Sequence, residues 1–295
     1  MTTAIPASRP ATFLAPTFLL VEPSHYDVSY TINPWMQPGV WAEDPDGHRR
    51  EAQSAFASLG EALRAAGAQV EIVDGVAGLP DMVFPANGGI VLDRRALLAR
   101  FRHPQRQGEA PAFRAAFEGF VARGLIDEVI TLPAGMTQEG AGDCIWDRTR
   151  KLAWTGYGPR SSPGAPAFIA ETFDIEVRRL ELATDRFYHL DTCFCVLPGG
   201  EVLYYPRAFS REGNALIRDT VSADLLIEAS DDDAARFCVN AVALDRSVVM
   251  ATPAERLVGV LRERGYTVSP VALDPFILSG GGAYCMTLRL DLRTR

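Results

Sequence analysis

At 295 residues, 47% of them hydrophobic and 22% charged, the chain has the composition of a soluble protein with a sizeable core and no dependence on disulfide staples. Acidic side chains outnumber basic ones 37 to 29, a net charge of −8, which argues against nonspecific nucleic-acid binding because that needs a basic face. No apolar run approaches the roughly 20 residues of a membrane span, Pro6, Pro10 and Pro16 interrupt any signal-peptide core, and five cysteines without a CxxC pair fit a reduced, cytoplasmic protein.

Residues 1–16, rich in Pro, Ala and Thr, read as a flexible tail. After them an apolar strand, a turn, a helix rich in Ala, Arg and Glu, and another short strand keep returning. The first unit has strand 17–21, a helix over 52–66 stopped by Gly67, and strand 69–73. The second has strand material over 82–92, a helix over 111–123 and strand 128–132. The third runs through 144–157, 166–173 and 176–182. The fourth has a strand over 188–197, a Pro198-Gly199-Gly200 turn, strand 201–205, a helix near 213–221 and strand 224–228. The fifth joins 237–242 to 247–251 by a hairpin-like turn, then adds helix 253–264 and strand 266–272. The last strand, 284–292, has no helix after it and could close a ring with the first unit. Five units of roughly 40–65 residues suggest an internally repeated α/β architecture. No Gly-, Ser- or Pro-rich stretch is long enough for an interdomain linker, so 17–295 reads as one closed domain. Solenoid stacking is the alternative, but it usually shows sharper self-similarity.

Lys151 is the only lysine, so Schiff-base or P-loop chemistry would rest on it alone; within Asp147-Arg148-Thr149-Arg150-Lys151 it reads as a solvated turn. The segment 187–196 reads as a strand whose alternation sets His189, Asp191, Cys193 and Cys195 on one face. His189 and Asp191 are then a candidate acid/base pair, or a satisfied structural hydrogen bond. Cys193 and Cys195 read as small buried hydrophobes. Glu139-Gly140-Ala141-Gly142-Asp143 places two acids and two glycines before a strand, either facing a bound cation or forming a turn with both acids solvated. In isolation Asp81 is a capping or turn residue, and Asn87 sits in a turn made permissive by Gly88 and Gly89. Cys285 follows three glycines, which admit a substrate to a residue type that is usually buried. As a nucleophile it needs help from a nearby cation or imidazolium. His189 is the histidine suited to that task, since His25, His48 and His103 lie in loop-like surroundings. No HExxH, paired-His or DxHxD pattern points to a metal, and no Walker A or GxGxxG loop to a nucleotide. The Asp231-Asp232-Asp233 run reads as a solvated turn or helix N-terminus.

Together, Glu139-Gly-Ala-Gly-Asp143, His189-Leu-Asp191-Thr192 and the glycine-rich approach to Cys285 resemble the guanidine-modifying branch of the pentein superfamily. That branch holds arginine deiminases, dimethylargininases, glycine amidinotransferases and arginine dihydrolases. The resemblance runs from Tyr26-Asp27-Val28 to Cys285. It implies a five-bladed ββαβ propeller with its active site on the axis, a small guanidino substrate, and no cofactor or metal. It implies Cys285 as the nucleophile that attacks the guanidinium carbon, and His189 as the acid/base that protonates the leaving amine and then activates water. Glu139 and Asp81 resemble the carboxylates that hold the guanidinium nitrogens. Arg160, in Gly156-Tyr-Gly-Pro-Arg160, resembles the contact to the amino acid's carboxylate, with Arg102 or Arg106 as further candidates. The scheme is coherent, because carboxylates match a planar cation through charge-assisted bonds, and the bound charge favours a thiolate.

Two departures bear on the substrate. Dimethylargininases usually carry acidic residues where this chain has Ala86-Asn87, and a lysine where it has Asp191. Asp191 could pair with both terminal nitrogens of unmethylated arginine, whereas N-methyl groups would leave part of it unpaired at a cost. Tyr30-Thr-Ile-Asn33-Pro-Trp-Met36 with Asn87 resembles arginine dihydrolases, in which Asn33 and Asn87 would position a citrulline-like intermediate for a second hydrolysis to ornithine. The expected function is guanidino C–N hydrolysis of arginine or a derivative through a covalent thiouronium, giving citrulline and/or ornithine plus ammonia. Dimethylargininase and amidinotransferase are the alternatives within the family, and a noncatalytic binding module is the alternative of another class. Nucleic-acid and membrane partners are not expected, and a homo-oligomer is compatible with this reading.

Overall fold

In the computed structural model, which describes residues 15–295, one local pattern recurs: an antiparallel hairpin, a helix, and a third strand parallel to the second. Most of the expected 1–16 tail lies outside the described residues; Pro16 is within them, and its carbonyl accepts from Gln69 N at 2.8 Å. Gly89–Leu92 pairs antiparallel with Arg95–Leu98, and helix Glu109–Ala122 leads to Glu128–Thr131, parallel to Arg95–Leu98. The same order runs through Cys144–Asp147, Leu152–Tyr157, helix Ala165–Phe173 and Glu176–Glu181. It continues in Phe194–Val196, Val202–Tyr204, helix Arg211–Thr220 and Leu226–Glu228. Val242–Leu244, Ser247–Ala251, helix Glu255–Glu263 and Thr267–Val271 repeat it once more. The remaining sheet is split along the chain. Thr17–Val21 pairs parallel with Gln69–Val73 across helix Pro45–Ala65, while its antiparallel partner Leu288–Arg289 comes from the other end. The described residues thus form an α/β fold with five three-stranded sheets.

A parallel third strand requires a crossover, which each helix supplies. Burial sets the third strand of the repeat apart: Gly89–Leu92 is wholly buried, whereas Gln69–Val73 and Glu128–Thr131 are largely open. Helix Pro45–Ala65 shows how sequence makes these pieces. Asp44 caps it by accepting from Gly47 N at 2.9 Å, and Pro45 occupies the first helical position, where its missing N–H costs nothing. Ala52, Ala55, Leu59 and Leu63, three and four apart, turn inward. Gly67, at φ +89°, follows the helix as expected. The helix starts well before residue 52 because its first turns are polar and solvent-facing, and it carries His48, which stacks on Trp41 at 5.3 Å instead of lying in a loop.

Four expected strands need correction, all for one reason. Residues 82–88 form two 3-10 turns, Pro80–Val83 and Pro85–Asn87, and only Gly89–Leu92 is strand. Of 188–197 only Phe194–Val196 extends, of 237–242 only the last residue enters a strand, and of 284–292 only Leu288–Arg289 does. These segments are apolar because they lie at the buried inner ends of the sheets, not because they are extended. The alternation assigned to His189, Asp191, Cys193 and Cys195 therefore fails: Leu190–Thr192 is a 3-10 turn, closed by Thr192 N and Oγ1 donating to His189 O at 3.2 and 2.6 Å.

Lys151 is an exposed turn residue at φ +56°. Asp231–Ala235 is a short helix begun by a capping box between Ser230 and Asp233. Cys144, Cys193, Cys195, Cys238 and Cys285 are free and buried. Among the described residues, no helix is long and apolar enough to cross a membrane.

Candidate active site

The turn that precedes the innermost strand of each sheet reaches one common centre, and neighbouring turns are bonded to one another. Ala86 N donates to Cys285 O at 3.2 Å, and Cys285 N to Asn240 Oδ1 at 3.1 Å. Asn240 Nδ2 donates to Asp191 O at 3.0 Å, and Leu190 N to Asp143 Oδ1 at 3.0 Å. Between the turns at 87 and 142 the fit leaves no room for a side chain. A β-carbon at Gly142 would overlap Asn87 Nδ2 and stand 3.5 Å from Asp191 Oδ2 and 3.6 Å from His189 Cγ. Gly142 therefore marks the spot where Asn87, Asp191 and His189 face one another.

Cys285 and the His189 turn, far apart in sequence, meet through Asp191: Cys285 Sγ is 3.1 Å from Asp191 Oδ2 and 3.1 Å from Asn240 Nδ2. Asp191 Oδ1 is buried without a hydrogen-bond partner. His189 Nε2 is 2.8 Å from Glu139 Oε2, and its Nδ1 lies 3.4 Å from Asn87 Nδ2. Glu139 is fully enclosed. Its Oε2 also accepts from Arg160 Nη1 at 3.0 Å, and its Oε1 from Arg102 N at 3.0 Å. These contacts set the Glu139 carboxylate against His189, Arg160 and the Arg102 backbone, an arrangement suited to orienting the imidazole. Asp143 is not solvated either, since Ser161 Oγ donates to it at 2.6 Å and Leu190 N at 3.0 Å.

Asp81 and Asn87 are held by a buried ion pair. Arg106 Nε and Nη2 each donate to Glu109 at 2.8 Å, and the remaining Nη1 donates to Asn87 Oδ1 at 2.8 Å. That bond fixes the Asn87 amide with its NH2 toward His189. Arg106 Nη2 also bonds Asp81 O at 3.1 Å, and Tyr30 Oη donates to Asp81 Oδ2 at 2.8 Å.

Asn33, Arg102, Arg160 and Tyr188 line an adjoining open cleft of about 980 Å³, whose wall does not include Cys285 or His189. Arg160 lies over the Tyr188 ring at 4.6 Å and also bonds Ile32 O at 3.1 Å. Arg102 Nη1 bonds Gly158 O and Pro159 O, both at 3.0 Å. Asn33 spends its amide on the loop, Nδ2 to Ser279 O at 3.0 Å and Oδ1 from Trp35 N at 2.8 Å.

Ionisation follows from these surroundings. Burial pulls the His189 imidazole down to about 4, although Glu139 opposes this. Burial works against the Glu139 charge as well, but Arg160 and His189 outweigh it and hold that carboxyl well below the usual range. The pair is thus a neutral imidazole donating Nε2–H to a carboxylate, which leaves the Nδ1 lone pair facing the centre. Burial, with Asp191 alongside, pushes the Cys285 thiol well up, so the sulfur rests protonated and donates to Asp191. Burial also lifts Asp191 to about 7 from an ordinary 3.8, despite the bond from Cys285. Its folded value being the higher one, Asp191 contributes stability in its protonated form at low pH, and that contribution is lost as pH rises through about 7. The ligand-free protein should therefore lose a few degrees of Tm between about pH 5.5 and 8, and Asp191→Asn should flatten this slope. Thermal melts across that range check it, and equal slopes would refute it.

The geometry thus offers a thiol, a neutral imidazole with its orienting carboxylate, and two buried acids, Asp81 and Asp191. A family model described as N,N dimethylarginine dimethylhydrolase, eukaryotic, matches residues 31–292. The chain belongs to this family.

As a dimethylarginine dimethylaminohydrolase-family member it falls within the guanidine-modifying pentein superfamily that its motifs resemble. It is 33% identical to the N(G),N(G)-dimethylarginine dimethylaminohydrolase of Mycobacterium tuberculosis over 92% of this chain and 85% of that one. It is 40% identical to the bifunctional arginine dihydrolase/ornithine cyclodeaminase AgrE of Nostoc sp. over 92% of its own length, but spans only 37% of that relative. Among solved structures, the N-terminal domain of the cyanobacterial arginine dihydrolase ArgZ, a cysteine-to-serine mutant bound to substrate, is similar with TM-score 0.88 and 38% identity, over 95% of this chain and 100% of that one.

Two positions in the centre carry no motif. Asn240 and Glu109 are both fully buried, Asn240 against the sulfur and Glu109 behind Arg106. A signal did exist for Asn240, a single polar residue inside the apolar run Phe237-Cys-Val-Asn-Ala-Val-Ala-Leu244. Such a residue must find partners when the run is buried. Glu109 had none beyond its place in a helix's first turn.

Proposed function

We propose that the chain hydrolyses guanidino C–N bonds of arginine through a covalent adduct on Cys285, with a dihydrolase outcome favoured. The observation that carries this reading is the unpartnered, buried Oδ1 of Asp191, on the carboxylate whose other oxygen touches the Cys285 sulfur. A guanidinium would satisfy that oxygen and bring its carbon to the thiol. Sγ then bonds the guanidinium carbon, one terminal C–N bond breaks, and the thiol proton leaves with ammonia by way of His189 Nδ1. Water, deprotonated at the same nitrogen, attacks the thiouronium; the C–S bond breaks, and citrulline and the thiol result. A second round on citrulline releases another ammonia, and hydrolysis of the carbamoyl thioester leaves a carbamate that loses carbon dioxide to give ornithine. Asn87, its NH2 turned inward by Arg106, is suited to hold the ureido oxygen. An asparagine-to-serine variant of ArgZ, covalently bound to a reaction intermediate, is one of the similar structures. Asp81 would share the guanidinium, and the cleft with Arg102, Arg160 and Asn33 would take the amino acid's backbone end.

The sheets fit a closed five-bladed propeller, the more so because the first and last strands pair, and 17–295 would form a single catalytic domain. The proposed steps consume water as co-substrate, and a cytoplasmic location is part of this proposal. Dimethylargininase is the second reading, favoured by the family match. Product analysis separates the two. With arginine we expect ornithine and two equivalents of ammonia, with asymmetric dimethylarginine turned over at least ~100-fold more slowly because its methyl groups strand part of a buried carboxylate. Citrulline as the sole product would remove the dihydrolase reading, and preference for dimethylarginine would establish the alternative.

A further inference from the structure

Asn240 is a wholly buried amide that touches the reacting atom. Its orientation is settled by chemistry. Cys285 N can only donate, so Oδ1 faces it at 3.1 Å, and the NH2 must then point to Cys285 Sγ at 3.1 Å and to Asp191 O at 3.0 Å. The glycines before Cys285 make this approach feasible, for a β-carbon at Gly282 would stand only 2.8 Å from Asn240 Oδ1. The sulfur therefore has the acceptor Asp191 Oδ2 beside it, which favours the thiol, while the backbone of Gly282 and the Asn240 amide at 3.1 Å favour the thiolate.

We propose that Asn240 is a catalytic residue whose amide N–H holds the sulfur of Cys285 as an anion. This rests on the reading of Cys285 as the nucleophile. When a guanidinium engages Asp191 Oδ1, its positive charge weakens the hold of the same carboxylate's Oδ2 on the thiol proton. The thiol proton goes through His189 to the departing nitrogen, and the sulfur is left as a buried anion. An unpartnered buried anion is expensive, and the Asn240 N–H is the side-chain donor already aimed at it. The same bond forms again when the C–S bond breaks and the pair of electrons returns to sulfur. The donor thus acts on both formation and hydrolysis of the adduct without contacting the guanidinium.

Asn240→Asp tests this by keeping an acceptor for Cys285 N while removing the amide donor. Three measurements are compared with wild type: iodoacetamide alkylation of Cys285 against pH, mapped by peptide mass spectrometry; kcat and KM for arginine; and arginine affinity in a Cys285→Ser background. We expect the alkylation profile to move up by about one pH unit or more, and kcat to fall roughly 10- to 100-fold with KM changed less than about threefold. Arginine affinity of the Cys285→Ser/Asn240→Asp protein should stay within about threefold of Cys285→Ser alone. Asn240→Ser, whose hydroxyl can still donate, should recover part of the rate and answers the question if the aspartate variant does not fold. An unchanged alkylation profile, or arginine binding lost in step with turnover, would overturn the proposal in favour of a scaffold role. If wild type leaves arginine untouched, the functional reading above fails while the alkylation comparison still judges the N–H···S contact.

Discussion

Cys285→Ser is expected to cut ammonia release from arginine by about 10⁴-fold or more while leaving the protein folded and able to bind. The sulfur is enclosed, so a substitution must fit the same space, and serine does. Its hydroxyl can still donate to Asp191 Oδ2 and accept from Asn240 Nδ2, so neither partner is left unpaired. What is lost is nucleophilicity: a buried hydroxyl has no accessible anion near neutral pH, whereas the thiol is raised only against a lower starting point. Arginine should therefore raise the Tm of the variant at least as much as that of wild type, since it is bound and not consumed. Turnover comparable to wild type would exclude the covalent route.

The second large effect concerns the imidazole. His189→Asn should lower kcat by about 10² to 10⁴ with KM changed by less than about tenfold. The nitrogen that matters is Nδ1, which faces the centre and has the use of its lone pair because the other nitrogen gives its proton to Glu139. An asparagine there can keep a donor toward Glu139, whose charge also remains paired with Arg160, but it cannot exchange a proton with the leaving nitrogen or with water. Steady-state kinetics on arginine decide the matter, and an unchanged kcat would remove His189 from the proton path.

The repeat and the order of helices and of the second and third strands were legible because their residues obey simple periodicities: Ala52, Ala55, Leu59 and Leu63 on one helical face, or Ser247–Ala251, the middle strand of its sheet, as a short apolar run. The turns at the centre were not legible as turns. Leu190, Cys193, Val239 and Met286 are apolar, as strand residues are, because they are buried, and burial leaves the same mark on a turn as on a strand. For that reason the residue types of the site could be picked out, while the way they face one another could not. The His189–Asp191 spacing suggested a shared strand face, but a 3-10 turn sends one side chain to Glu139 and the other to Cys285. Glu139 was recognisable as an acid among glycines, yet its task depends on Arg160 and His189, whose approach no local pattern encodes.

The antiparallel pairing of Phe18 with Arg289 and Leu19 with Leu288 anchors the segment that carries Cys285 on a strand far removed along the chain. The thiol thus meets Asp191 and Asn240 through a contact of very long sequence separation, whose loop-closure entropy must be met before it rewards folding. The other four sheets are each built from neighbouring segments, so loosening this one seam would displace the sulfur while their pairings persist.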